Sequence, residues 1–182
     1  MRIITGTARG KRLRTLPGER VRPTTERVKE GLFSALQFDI PDRRVLDLFA
    51  GSGQLGLEAL SRGAAHAVFV DNARASIQCA RQNAEDCGFE PRAQFLQTDA
   101  LHFLHTTADK FSLVLLDPPY ADTKTAALSL LEEVLAVLEH VLTPDAIVCC
   151  ESPIDQPLPR KLAHLVAKEY TYGKTKVTIY RA

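Results

Sequence analysis

From residue 44 onward, short apolar runs rich in branched residues alternate with stretches whose apolar positions recur every three or four residues. The runs fall at residues 45–49, 67–71, 93–96, 113–117 and 146–150. Their near-continuous apolar character marks strands buried on both faces. Between the second and third runs, Ile77, Ala80, Ala84 and Cys87 form one helical stripe. After the fourth, Leu128, Leu131, Leu135, Leu138 and Leu142 form another. This alternation predicts an α/β domain built on a mostly parallel sheet. Beyond Pro153, Pro157 and Pro159 the period changes to two. Residues 165–172 and 175–181 flank Gly173-Lys174, which predicts a hairpin adding an antiparallel edge and bringing the sheet to seven strands.

Ahead of residue 44 the pattern differs. Residues 2–7 and 11–16 predict two short strands around Ala8-Arg9-Gly10. A helix then opens at Pro23, with Thr24 or Thr25 as its cap and Val28, Leu32, Phe33, Ala35 and Leu36 as its apolar face. In 182 residues there is room for one ordinary domain with an appendage. The expected division is a basic extension over 1–40 and a main domain over 41–182.

Charge sharpens that division. The formal net charge is +1, but residues 1–30 carry +6, residues 31–150 carry −8 and residues 151–182 carry +3. A basic arm on an acidic body suits a polyanion such as nucleic acid, and reads equally as a solvated charged surface; on the first reading Arg9, Lys11, Arg12, Arg14, Arg22, Thr24 and Arg27 are the candidate contacts. The four cysteines show no paired spacing, and Cys149 and Cys150, adjacent in a strand, face opposite ways. They read as apolar packing in a reducing compartment. Residues 1–6 lack the apolar run of a secretion signal, and the longest apolar stretch is broken by Glu132, Glu133, Glu139 and His140. The expectation is a cytoplasmic protein with no membrane partner.

Two motifs carry chemistry. Asp47-Leu48-Phe49-Ala50-Gly51-Ser52-Gly53-Gln54-Leu55-Gly56 is a strand running through a glycine-rich turn into a helix, where a cofactor can approach the backbone. Asp71, 20 residues after Gly51 and followed by Asn72, ends the next strand, where a carboxylate can accept hydrogen bonds from a ribose diol. By itself this pattern leaves NAD and S-adenosylmethionine both open. The second motif, Asp117-Pro118-Pro119-Tyr120, follows the fourth strand. Its prolines stiffen the turn, so that the Asp117 carboxylate and the Pro118 carbonyl can take the two hydrogens of one amine while Tyr120 stacks on the base. Asp99, with Ala100, stands after the third strand. Alone it reads as a helix cap, but in the series Asp47, Asp71, Asp99, Asp117 it reads as a ligand residue. The histidines show no ligand spacing, and no metal is expected.

The second motif resembles the D/N-PP-Y/F motif of amino-group methyltransferases. Arg2-Ile3-Ile4-Thr5-Gly6, Gly10-Lys11-Arg12-Leu13, and residues 22–30 with Leu32-Phe33 are similar to the N-terminal signatures of the RsmD-type family of 16S rRNA guanine-N2 methyltransferases. The cofactor region, residues 48–53 and 55–63, is similar as well, so the resemblance covers nearly the whole chain. It implies a Rossmann-like class I fold and S-adenosylmethionine as donor, leaving as S-adenosylhomocysteine. The methionine part would lie near residues 47–53, the ribose on Asp71 and the adenine beside Asp99 and Ala100. It also implies a flipped-out guanine of 16S rRNA in the small ribosomal subunit as substrate, and a monomer. Competing readings are a DNA adenine-N6 methyltransferase, an NAD-dependent oxidoreductase and a non-catalytic RNA-binding module. The first would need a target-recognition domain, the second leaves residues 117–120 without a role, and the third has no use for four strand-end aspartates.

Overall fold

The computed structural model describes residues 1–16, 23–119 and 124–182, apart from the side chains of residues 23–25 and 124–129. Parallel strands β1 (Arg44–Asp47), β2 (His66–Asp71), β3 (Ala93–Gln97), β4 (Phe111–Leu116) and β5 (Leu142–Pro153) alternate with helices α2 (Gln54–Ser61), α3 (Arg74–Cys87), α4 (Ala100–Thr106) and α5 (Lys124–Val137). Helix α1 (Pro23–Ala35) precedes them, and β6 (Lys161–Leu162), β7 (Leu165–Tyr172) and β8 (Thr175–Arg181) close the sheet in antiparallel fashion. The strand order is β3-β2-β1-β4-β5-β8-β7-β6. It reverses between β1 and β4, and the carboxyl edge at such a point is where open α/β sheets bind ligands.

Each face of the sheet is covered, as continuous apolar strands require. One core joins Val45, Ala67, Leu113 and Cys149 to α1, α2 and α3. The other joins Leu46, Val68, Val114 and Cys150 to α4 and α5. Cys149 and Cys150 thus serve opposite faces.

Four expectations need correction. The sheet has eight strands rather than seven, because Lys161–Leu162 pairs with the start of β7; two residues are too few to show a period. The stripe from Leu128 does not stay helical to Leu142. After Val137 a tight turn over Leu138–Val141 intervenes, and Leu142 opens β5 opposite Phe111. Pro144 follows too closely for a helix to continue, and the register shifts between Phe111 and Leu113 alongside it. The fifth strand is therefore longer than the run at 146–150. At the N-terminus, two strands reduce to one isolated bridge, Arg2 with Arg12.

Pairing stops beyond the Ile3–Lys11 bond because the Lys11 N–H turns back to the Ala8 carbonyl within the connecting turn, and a side chain takes up the next amides of the first segment. Ile4 and Thr5 donate their N–H groups to the two carboxylate oxygens of Glu58 at 2.8 and 3.0 Å. Glu58, fully buried on α2, also pairs with the buried Lys29 of α1 at 3.1 Å and with Arg62 at 2.8 Å. Lys29 donates onward to the Arg2 carbonyl, and Arg62 to the Phe33 carbonyl. One carboxylate thereby ties the N-terminal segment and α1 to the helix that follows the glycine turn, and Ile3, Ala8 and Leu13 pack into the same core as Leu57 and Leu60.

Burial already lowers the Lys29 pKa, against the pull of Glu58. Removing its partner charge leaves a buried ammonium uncompensated. Glu58→Gln is expected to cost about 3–5 kcal/mol in urea unfolding. A cost below about 1 kcal/mol, the range of a surface pair, would show that the network does not hold the segment.

Candidate active site

At the β1/β4 edge lies a cavity of about 370 Å3, within the range of ligand pockets. The turn after β1 forms its floor. Gly51 and Gly53 hold φ of 51° and 80°, the left-handed region where glycine is unstrained, and Gly53 caps α2. Asp47, buried at the end of β1, accepts the Gly56 N–H at 2.9 Å and so fastens the first turn of α2 to the strand. Asp71 accepts the N–H groups of Gly51 and Ala73, both at 2.9 Å, one on each oxygen. It thus orders the glycine turn before any ligand arrives, and a carboxylate has further acceptor positions to offer. Asp99 caps α4 by accepting the His102 N–H at 3.0 Å through Oδ1. The cap reading of this residue and its position on the cavity wall both hold.

Of the expected cofactor residues, Asp47, Phe49, Ala50, Gly51, Asp71, Asn72, Asp99, Ala100 and Asp117 line the cavity. Ser52 and Gly53 shape the turn without lining it. Pro119 reaches the wall and Pro118 is buried behind it. Tyr120 and Arg22 lie outside the described residues, as does the side chain of Thr24. In the arm, Arg9, Lys11, Arg12, Arg14 and Arg27 are all exposed, and Lys11 and Arg14 also reach across to α3. Lys11 donates to the Asp86 carbonyl at 2.8 Å, and Arg14 pairs with the Asp86 carboxylate at 3.1 Å.

Two features were missed. Gln54, at the start of α2, lines the cavity, and its buried Oε1 has no hydrogen-bond partner among the described residues. Glu151 stands at the same level as Asp117, since the paired Leu116 and Cys150 immediately precede them. The signal for it was present, because it is one more acid after a strand run.

Electrostatics distinguish the candidate ligands. Among the described residues the cavity wall carries four aspartates and no lysine or arginine. A dinucleotide pyrophosphate would meet repulsion there, while a ligand bearing a sulfonium and an ammonium would meet attraction. Burial, with the nearby Asp117 and Asp71 charges, pushes the Asp47 carboxyl up to about 7 despite the Gly56 bond. Burial, then the Asp117 charge, pushes Glu151 up to about 9. The acidic wall, the orphaned Gln54 acceptor and the open turn fit S-adenosylmethionine. Among the described residues no group of three or more His, Cys, Asp or Glu is placed to hold a metal, and no helix is long and apolar enough to cross a membrane.

A family model described as conserved hypothetical protein 95 matches residues 1–181. The chain belongs to this RsmD-type family. Ribosomal RNA small subunit methyltransferase D of Escherichia coli K12 is 35% identical over 184 residues, covering 100% of this chain and 89% of its own. The Haemophilus influenzae protein of the same name is 36% identical over 186 residues, covering 100% and 93%. The solved structure of Escherichia coli yhhF superposes with a TM-score of 0.86 at 35% identity, covering 100% and 97%. The RsmD-type sheet is thus the class I architecture expected from the motifs, with its one additional edge strand.

The raised carboxyls set a pH dependence. Each favours the fold while protonated. Its contribution is complete below about pH 4, where the unfolded chain also holds the proton. It is lost as pH rises toward about 7 for Asp47 and about 9 for Glu151. The slope is at most about 1.4 kcal/mol per pH unit for each group. Urea midpoints of the ligand-free protein should fall less steeply between about pH 4 and pH 7 in Asp47→Asn than in the wild type. Parallel curves would remove the burial-driven shift.

Proposed function

We propose that this protein is an S-adenosylmethionine-dependent methyltransferase acting on the N2 amine of a guanine in 16S rRNA of the small ribosomal subunit. The observation that carries the reading is the acidic, cation-seeking cavity at the β1/β4 edge, onto which the turn of Asp117, Pro118 and Pro119 opens. The family to which the chain belongs, and relatives named ribosomal RNA small subunit methyltransferase D, support the substrate. On this reading the protein works in the cytoplasm as a monomer, with residues 1–40 positioning RNA for the domain over 41–182.

Asp71 takes the ribose of the cofactor, Asp99 and Ala100 its adenine, and Asp47 with the turn from Phe49 to Gly53 its methionine part. Bound there, the cofactor supplies a methyl on a positively charged sulfur that even a weak nucleophile can displace. The guanine amine is weak because its lone pair is spread into the ring. Asp117 and the Pro118 carbonyl accept its two hydrogens, draw the nitrogen toward a tetrahedral shape and stabilise the positive charge that develops on it. Asp117 need not remove a proton first, since the methylated amine becomes acidic. Tyr120 stacks on the extruded base, whose unstacking is cheap in a loop of RNA.

Asp47 is close to half ionised near pH 7. A cationic cofactor favours its charged form, so S-adenosylmethionine uptake at pH 7 should release a fraction of a proton. The binding enthalpy then varies between buffers of different ionisation enthalpy, and does not in Asp47→Asn. The same ligand at 100 times its dissociation constant should stabilise the protein by about 2.7 kcal/mol, and NAD should not. Stabilisation by NAD of equal size would overturn the reading. Asp117→Ala should abolish methyl transfer to unmodified small subunits, read as N2-methylguanosine, with little change in cofactor affinity.

Arg9 and Arg12 are exposed on the arm, and Lys11 and Arg14, exposed as well, are engaged by Asp86. Reversing the charges of Arg9 and Arg12 should raise the RNA requirement and leave cofactor binding unchanged. For each RNA phosphate that the arm no longer neutralises, the salt dependence should flatten by about 0.7 units of log K per unit of log salt. An unchanged salt slope would place RNA elsewhere.

A further inference from the structure

Asn83 is fully buried on α3, yet its amide serves two segments that belong to different parts of the molecule. Its Oδ1 accepts the Arg14 N–H at 2.8 Å, and its Nδ2 donates to the Arg14 carbonyl at 3.1 Å. To the arm it behaves as a neighbouring strand would. The same Nδ2 donates to the Ser52 carbonyl, inside the glycine turn, at 2.8 Å. Cys79, one helical turn earlier, directs its Sγ at the Arg14 carbonyl, and Asp86, one turn later, holds Lys11 and Arg14.

The two segments end on one cavity. Two residues after Arg14, Leu16 lines it, and one residue before Ser52, Gly51 lines it. Moving either segment away from Asn83 leaves a buried donor or acceptor without its partner, which is costly. Arm and turn are therefore held in a single arrangement, while Arg9 and Arg12 sit exposed on the same arm.

We propose that Asn83 is a positioning residue that couples RNA engagement by the N-terminal arm to cofactor binding in the glycine turn, so that each strengthens the other. This rests on the function proposed above. Coupling between sites is reciprocal, so the effect of the cofactor on the arm measures it without RNA.

The experiment is amide hydrogen exchange by NMR on the full chain, with and without saturating S-adenosylhomocysteine. In the wild type, exchange should slow at residues 51–54 and, by about 5-fold or more, at the Arg14 amide. The Asn83 side-chain amide resonances should shift on binding. In Asn83→Asp, which keeps the acceptor for Arg14 but loses both donors, residues 51–54 should still be protected and the slowing at Arg14 should vanish. Protection at residues 51–54 with unchanged exchange at Arg14 in the wild type overturns the coupling. So does slowing at Arg14 that persists in the variant, which a merely structural asparagine would allow. No protection at either place overturns the cofactor reading and the coupling with it. If the variant does not fold, the wild-type exchange and the Asn83 resonances still decide the matter: unshifted resonances at saturation overturn the role given to Asn83.

Discussion

The carboxylate of Glu58 is the constraint on which the remaining arrangement depends. A charge with no exposure must be compensated in full, and four donors from three parts of the chain do so: two backbone amides near the N-terminus, Lys29 on α1, and Arg62 just past α2. Because α2 begins at the glycine turn, this compensation fixes the N-terminal segment relative to the cofactor cavity. The basic extension is thus continuous with the main core, sharing it through Ile3, Leu13, Leu32 and Phe33.

At the opposite end of α2 the same logic runs with negative charge in excess. Asp47, Asp71, Asp99 and Asp117 converge on one cavity, and three of them hold backbone N–H groups that shape it. Asp47 is the buried one of the four, and burial with the charges of Asp117 and Asp71 raises its carboxyl despite the Gly56 bond, as burial and the Asp117 charge raise that of Glu151. A site built this way gains most from a cationic ligand. Its charge favours a sulfonium cofactor, although the glycine spacing admits a dinucleotide as well.

The arm divides its cations between two tasks. All four lie at the surface, but Lys11 and Arg14 reach across to α3, where Asp86 and Asn83 fix the arm's course, and Arg9 and Arg12 are the pair proposed to engage RNA. Counting basic residues along the sequence joins these groups, since both raise the local charge equally. Only the position of Asp86, more than seventy residues away, separates them.

The layered α/β architecture, the order of its main elements and the residues of both motifs were legible along the chain. Each follows from local rules: the period of apolar positions, the need for glycine at positive φ in the turn, and the placing of aspartates after strands. Even Glu151 obeyed such a rule and could have been read from it. Tertiary structure alone decided what depends on partners distant in the chain. The N-terminal hairpin shrank to one bridge because the Lys11 amide turned back to Ala8, with Glu58 holding the next amides from α2, and Leu142 left its helix because Phe111 offered a strand to pair with. Nothing near Asn83 in sequence indicates the backbone groups of Arg14 and Ser52 that it joins. Buried hydrogen-bonding groups must find partners wherever the folded chain brings them, and pattern along the chain does not encode which partner that will be.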